Sequence, residues 1–140
     1  MVGVCTAVIT VRLALRRFQA ERWWERKADA YSRIVEALHS AMEYWSARSH
    51  EVMTGQEIGE ERKKRFSENY DRAAQELSKA TGVGAYIISD EVAESLARLQ
   101  KRRRLDPKDC AWFEIYEDEY EAYKKTLTEV RQLAKKDLRI

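Results

Sequence analysis

The chain has 140 residues, one proline, five glycines and two cysteines; 36% of it is charged, with a formal net charge of +2. That length suits one domain with a modest core. Two cysteines exclude a disulfide framework, and the near-balanced charge gives no global case for nucleic acid.

Val2 to Leu15 is almost entirely apolar or small, with Arg12 as its only charge. Arg16, Arg17, Arg22, Arg26 and Lys27 follow, with Trp23 and Trp24 among them. An apolar run leading into cations and indoles predicts a membrane anchor that leaves the bilayer on the cytoplasmic side. Residues 1–20 are then a short or partial anchoring helix, and residues 21–140 form a helical bundle at the cytoplasmic face of the inner membrane. Arg12, Arg16, Arg17, Arg22, Trp23 and Trp24 make up the predicted membrane-interface set. A span needs about 20 apolar residues, and this run falls short of that. It reads first as the end of a transmembrane helix that begins upstream of Met1. Two other placements fit: a helix lying in the interface, or a soluble apolar start packed in an oligomer, leaving the protein soluble in the cytoplasm. No basic stretch precedes the run and no small-residue cleavage site ends it, so it does not read as a signal peptide.

The first helix is predicted from near Val4 to near Met53. Trp24, Ala28, Tyr31, Val35, Leu38, Met42, Trp45, Ser49 and Val52 recur at alternating steps of four and three. That is a heptad seam, flanked by Ile34 and Ala41. Thr54, Gly55 and Gly59 end or loosen the helix. A second helix is expected over roughly Glu57 to Ala80, on Phe66, Tyr70, Ala73, Leu77 and Ala80, with Gly82 as its stop. Ala85 to Ile88 reads as an apolar plug or one extra turn. A third helix starts at the Ser89 N-cap, buries Val92, Leu96 and Leu99, and closes on Lys101 to Arg104. The fourth is expected to start at Asp106-Pro107. Its seam is Phe113, Tyr116, Tyr120, Tyr123, Leu127, Val130 and Ala134. The two long seams should pair, giving an all-α antiparallel bundle of four helices with a very long N-terminal and a long C-terminal helix.

Chemistry is sparse. Glu36 and His39 are spaced as in the Glu-x-x-His pair of di-iron bundles, but such sites need two pairs and further inward glutamates. The second histidine, His50, has Ala47 three residues before it. No metal site and no cofactor is expected. Cys110, in the expected first turn of the fourth helix, has no partner histidine. The tyrosine stripe of the fourth helix reads as core whose hydroxyls need partners. Residues 61–65 and 101–104 are basic clusters of the kind that can face anionic lipid or RNA, although such runs are usually solvated faces. No phosphate loop, dinucleotide fingerprint or hydrolase elbow occurs.

Arg33 and His39 are separated as the arginine and histidine of HEPN-type helical ribonucleases are. That resemblance implies RNA cleavage in a dimer cleft by Arg33 and His39, although Ile34 stands where a polar residue is expected. A broader resemblance is carried by residues 18–31, which include Trp23, Trp24, Lys27 and Tyr31, and continues through His39. The stretch resembles a group of uncharacterised bacterial proteins with one N-terminal membrane helix, a Trp-Trp-x-x-Lys-like juncture and a helical cytoplasmic domain. It covers about a quarter of the chain and implies a membrane tether without an activity. The expected function is a membrane-tethered interaction or scaffold module without catalysis. It would bind itself or a protein partner through seam residues Tyr31, Val35, Leu38, Met42, Trp45, Phe113, Tyr116, Tyr120, Tyr123 and Leu127. The alternatives are the ribonuclease-like dimer and a soluble, antitoxin-like regulatory partner protein. No small-molecule substrate is indicated.

Overall fold

The structure, a computed structural model, describes residues 2–140, with side chains from Thr6 onward. The side chains of Val2, Gly3, Val4 and Cys5, part of the apolar start, lie outside the described residues. Secondary structure among the described residues is helical throughout: α1 (Val2–Thr54), α2 (Glu60–Thr81), α3 (Asp90–Lys101) and α4 (Trp112–Leu138), with a 3-10 turn at Val83–Tyr86. The helices pack against one another, α1 chiefly on α4 and α2, and α3 on α4.

The core forms where apolar stripes converge. From α1 it takes Tyr31, Ile34, Ala37, Leu38 and Ala41; from α4, Tyr123, Leu127, Val130 and Ala134. Ala73 and Leu77 of α2, with Val92, Leu96 and Leu99 of α3, complete it, and Ile88 plugs one end. The α1 stripe is turned slightly from the expected seam. Ile34 and Ala41 are fully buried, whereas Val35, Met42 and Trp45 are only partly so. The cause is that α1 serves two neighbours, α4 and α2. Its apolar face must be wider than a two-helix seam, and its centre falls between the two partners.

Helix ends follow local chemistry. Gly55 adopts φ 66°, and its N–H donates to the Glu51 carbonyl at 3.0 Å, a left-handed stop that suits glycine. The Glu51 carboxylate then clasps the turn, accepting from the Ile58 N–H at 3.0 Å and facing Lys63 and Arg48 at 3.4 Å each. Burial alone would raise the Glu51 pKa, but the Ile58 N–H, Lys63 and Arg48 outweigh it and lower the value. Ser89 caps α3 as its sequence predicts, its Oγ accepting from the Val92 N–H at 3.3 Å.

The start of α4 differs from expectation. Asp106-Pro107 opens a turn, with Asp109 and Cys110 N–H groups donating to the Asp106 carbonyl at 3.0 and 3.1 Å. The helix begins six residues after Asp106, at Trp112, with the Ala111 N–H donating to the Glu114 carboxylate at 3.1 Å. Asp followed by Pro suits the first two positions of a type I turn as well as a helix start. Cys110 accordingly precedes α4 instead of lying in its first turn. Its thiol pKa is raised, by desolvation and by the carboxylates of Glu114, Asp109 and Asp106.

The C-terminus of α4 closes through Arg139, at φ 57° and ψ 46°. Its N–H donates to the Lys136 carbonyl at 3.3 Å, and the Ile140 N–H donates to that of Lys135 at 3.1 Å. Glycine usually takes this left-handed position; a side chain there costs about 1 kcal/mol.

Candidate functional site

The part of the molecule with the most unsatisfied chemistry is the N-terminal arm of α1. Every residue from Thr6 to Arg26 is exposed, although the stretch carries Val8, Ile9, Val11, Leu13, Leu15 and Phe18. Each of these six is half or more exposed, Leu13 the most at 61%. From Thr6 to Trp23 the arm extends about 26 Å at 1.5 Å per residue. At 100° per residue, Val8, Val11, Leu15 and Phe18 share one side, and Ile9, Leu13, Ala20 and Trp24 another. The predicted interface cations Arg12, Arg16, Arg17 and Arg22 all lie on this arm. Arg17 pairs in the helix with Glu21 at 3.3 Å, and Arg22 sits over the Phe18 ring at 5.0 Å. Among the described residues no helix is long and apolar enough to cross a membrane, because the cations begin within the apolar run.

The arm joins the bundle through a polar latch. The Trp24 indole N–H donates to the Leu138 carbonyl at 3.2 Å. Lys27 Nζ reaches both Asp137 oxygens at 3.0 Å. The Tyr31 hydroxyl donates to Asp137 at 2.5 Å and accepts from the Ser89 N–H at 2.8 Å. The Asp137 carboxylate of α4 thus holds two α1 side chains, and Tyr31 links it to the cap of α3. Desolvation would raise the Asp137 pKa, but hydrogen bonds from Tyr31 and Lys27 outweigh it and lower the value. The Tyr31 pKa is raised, first by burial and then by its bond to Asp137. Trp23 stands beside this latch, its ring 6.5 Å from that of Tyr86.

At the far end of the bundle lies a polar and aromatic cluster. Glu119 is 3% exposed; Arg102 bonds it directly, and Arg104 approaches at 3.6 Å. Arg102 also bonds the Leu99 carbonyl, closing α3, and lies 5.2 Å over the Tyr123 ring. Tyr123 and Tyr70 hydroxyls are 3.4 Å apart, and burial, then the bond to Tyr123, drives the Tyr70 pKa up. Tyr116 accepts from Arg48 at 3.2 Å, and Trp45 packs 5.7 Å from it. Of the tyrosine stripe expected to need hydroxyl partners, Tyr116 and Tyr123 find them in these groups. Periodicity missed Glu119, because what lets it be buried is an arginine arriving from a distant turn. The one available signal was the basic run 101–104 set against the acidic stretch 114–121.

The expected interaction seam is partly enclosed by the chain itself. Tyr31, Leu38, Tyr116, Tyr123 and Leu127 are buried, and Val35, Met42, Trp45, Phe113 and Tyr120 are partly buried. The cations of 61–65 and 101–104 also have intramolecular roles: Lys63 faces Glu51, Arg62 covers Phe66 at 5.6 Å, and Arg102 and Arg104 hold Glu119. Arg33 pairs with Asp29 at 3.1 Å and His39 with Glu43 at 3.4 Å, all well exposed. Arg33 and His39 line different grooves, one with Asn69 and Arg72, the other with His50, Arg62 and Tyr120. The structure does not bring the ribonuclease-like pair together within one chain. No cluster of three metal-ligating side chains occurs among the described residues.

No family model, curated protein or solved structure matches the chain. The functional reading therefore rests on the arm, the latch and the cluster.

Proposed function

We propose that this chain is a helical interaction module that docks on an anionic bilayer through its N-terminal arm. The observation that carries this reading is the exposure of Val8, Ile9, Val11, Leu13, Leu15 and Phe18 on a helix that the bundle does not cover. A helix apolar on more than one side is normally buried. Here the described residues supply no cover, and the cations that follow complement an anionic surface. Arg12, Arg16 and Arg17 snorkel to the headgroups, while Trp23 and Trp24 stand at the outer edge of the interface. The positive flank suits the anionic cytoplasmic face of the inner membrane, where the bundle stands in this reading. The bundle itself is antiparallel in this reading. Lys27, midway along α1, pairs with Asp137 near the end of α4, and Arg48, near the end of α1, with Tyr116 near the start of α4, so the two long helices run in opposite directions. The resemblance to bacterial proteins with a membrane helix and a Trp-Trp juncture agrees with a tether.

Co-sedimentation of the full chain with vesicles of phosphatidylcholine and phosphatidylglycerol, in a seven-to-three ratio, tests the reading. Wild type should pellet with the vesicles. Leu13→Asp should weaken binding by at least about tenfold, because an aspartate in the hydrocarbon is strongly disfavoured. Failure of wild type to pellet, or equal pelleting of the variant, would sink the reading.

A further inference from the structure

The root of the arm carries a crevice of about 600 Å³ between α1 and the C-terminus of α4. Its walls include Trp23, Trp24, Lys27, Lys136, Asp137 and Arg139. The charges there are unequal in availability. Asp137 is held by Lys27 and Tyr31, and Glu91, the other acid on the wall, has only a loose 3.8 Å pairing with Lys136. The Arg139 guanidinium and the Trp23 indole N–H have no hydrogen-bonding partner among the described residues. Arg139 is also the single non-glycine residue at positive φ among them. Glycine would fit that backbone without strain, yet the position carries an arginine that lines the crevice. An outlier of this kind invites a functional explanation.

The height of the crevice matches the proposed docking. Trp24 lies eight residues beyond Arg16, about 12 Å along the helix. With Arg16 and Arg17 at the hydrocarbon edge and the arm inclined by about 60° to the bilayer normal, that 12 Å becomes about 6 Å of height, which sets the crevice within a headgroup layer roughly 5–8 Å thick. The side of the arm bearing Ile9, Leu13 and Ala20 leads up to Trp24 and into it. We propose that this crevice holds the phosphate headgroup of an anionic phospholipid. Arg139 contributes a planar donor fork suited to phosphate oxygens, Lys136 a point charge, and Trp23 a further donor. This inference rests on the bilayer-docking reading and adds to it a defined headgroup site.

Arg139→Gly separates the site from general stability, since it relieves the left-handed backbone while removing the guanidinium. Full-length wild type, Arg139→Gly and Arg131→Ala are titrated with phosphatidylcholine vesicles and with the mixed phosphatidylglycerol vesicles. Arg131→Ala removes an equal charge from the exposed surface of α4. The expected result is a higher melting temperature for Arg139→Gly and a loss of about tenfold in affinity for the mixed vesicles. Binding to phosphatidylcholine alone should not change, and Arg131→Ala should lose about twofold or less. Equal losses for the two variants would overturn the headgroup site while leaving the arm reading in place, provided that Leu13→Asp still weakens binding by about tenfold or more. Wild type that ignores both vesicles would overturn both. Inorganic phosphate titrated alone should give no saturable heat; saturation there would make free phosphate the occupant and overturn the lipid assignment.

Discussion

The two halves of α1 are equally continuous as helix and differ completely in cover. Between Tyr31 and Ala41, Ile34, Leu38 and Ala41 are buried against α2 and α4. Between Val8 and Phe18, residues at least as apolar stand exposed. What separates them is the reach of the partners, because α4 ends at Leu138, whose carbonyl accepts from the Trp24 indole, and every residue from Thr6 to Arg26 is exposed. Helix formation and burial are thus separate events along one rod. An apolar stripe states a demand for cover without naming what meets it.

The sharpest way to test that division is to break the bundle at a point remote from the arm. Glu119→Ala leaves Arg102 partly buried with its main counter-charge gone, and should cost about 3–5 kcal/mol of bundle stability. Urea unfolding monitored by tryptophan fluorescence would measure it. Below the transition, vesicle binding should stay at the wild-type level. A parallel loss of binding in the folded protein would show that the halves are coupled.

One chemical change applied to both halves makes the comparison direct. Leu38 is fully buried, and Leu38→Ala should cost about 2–5 kcal/mol. Leu13→Ala, on the arm, should change stability by no more than about 0.5 kcal/mol and show itself only as weaker vesicle binding. A large unfolding effect from Leu13→Ala would mean that the arm is covered in solution, by a second copy or by the bundle.

Sequence periodicity revealed the four helices, the Ser89 cap and the inner face of α3, since each is encoded within a few residues. It placed the start of α4 too early, because Asp106-Pro107 satisfies a turn and a helix cap equally well. It also offered the α1 seam as an interaction surface, when the same residues are what the chain needs for its own core. Glu119 and Arg139 were illegible for a different reason. The burial of one depends on Arg102, seventeen residues away, and the backbone of the other is set by how α4 ends. Neither leaves a periodic mark.

The latch between the halves should be the acid-sensitive element. The native Asp137 carboxyl is held below its ordinary range by Tyr31 and Lys27, so the native state binds that proton less readily than the unfolded chain does. Its contribution is therefore complete above about pH 4 and is lost as pH falls through the depressed native value. Asp137→Asn should cost about 1 kcal/mol at neutral pH. Melting temperatures of variant and wild type should converge in acid. A gap that persists below pH 3 would assign the effect to packing at the joint, leaving no role for the carboxylate charge.

One further effect has the opposite sign. Ser95 is 2% exposed in the middle of α3, and its Oγ is buried with no hydrogen-bond partner among the described residues. A hydroxyl desolvated without compensation costs about 1–3 kcal/mol on protein scales, and alanine is the better helix former. Ser95→Ala should therefore stabilise the bundle by about 1 kcal/mol, read as a higher urea midpoint at unchanged slope. The arm should be indifferent, with vesicle affinity constant. A loss of stability would mean that a water or the Glu91 carbonyl satisfies the hydroxyl in solution, making this end of the core wetter than its apolar lining suggests. A gain confined to stability would place the uncompensated polar group in the bundle and the uncompensated apolar surface in the arm. The two halves would then carry opposite defects, and an external surface could relieve only the second.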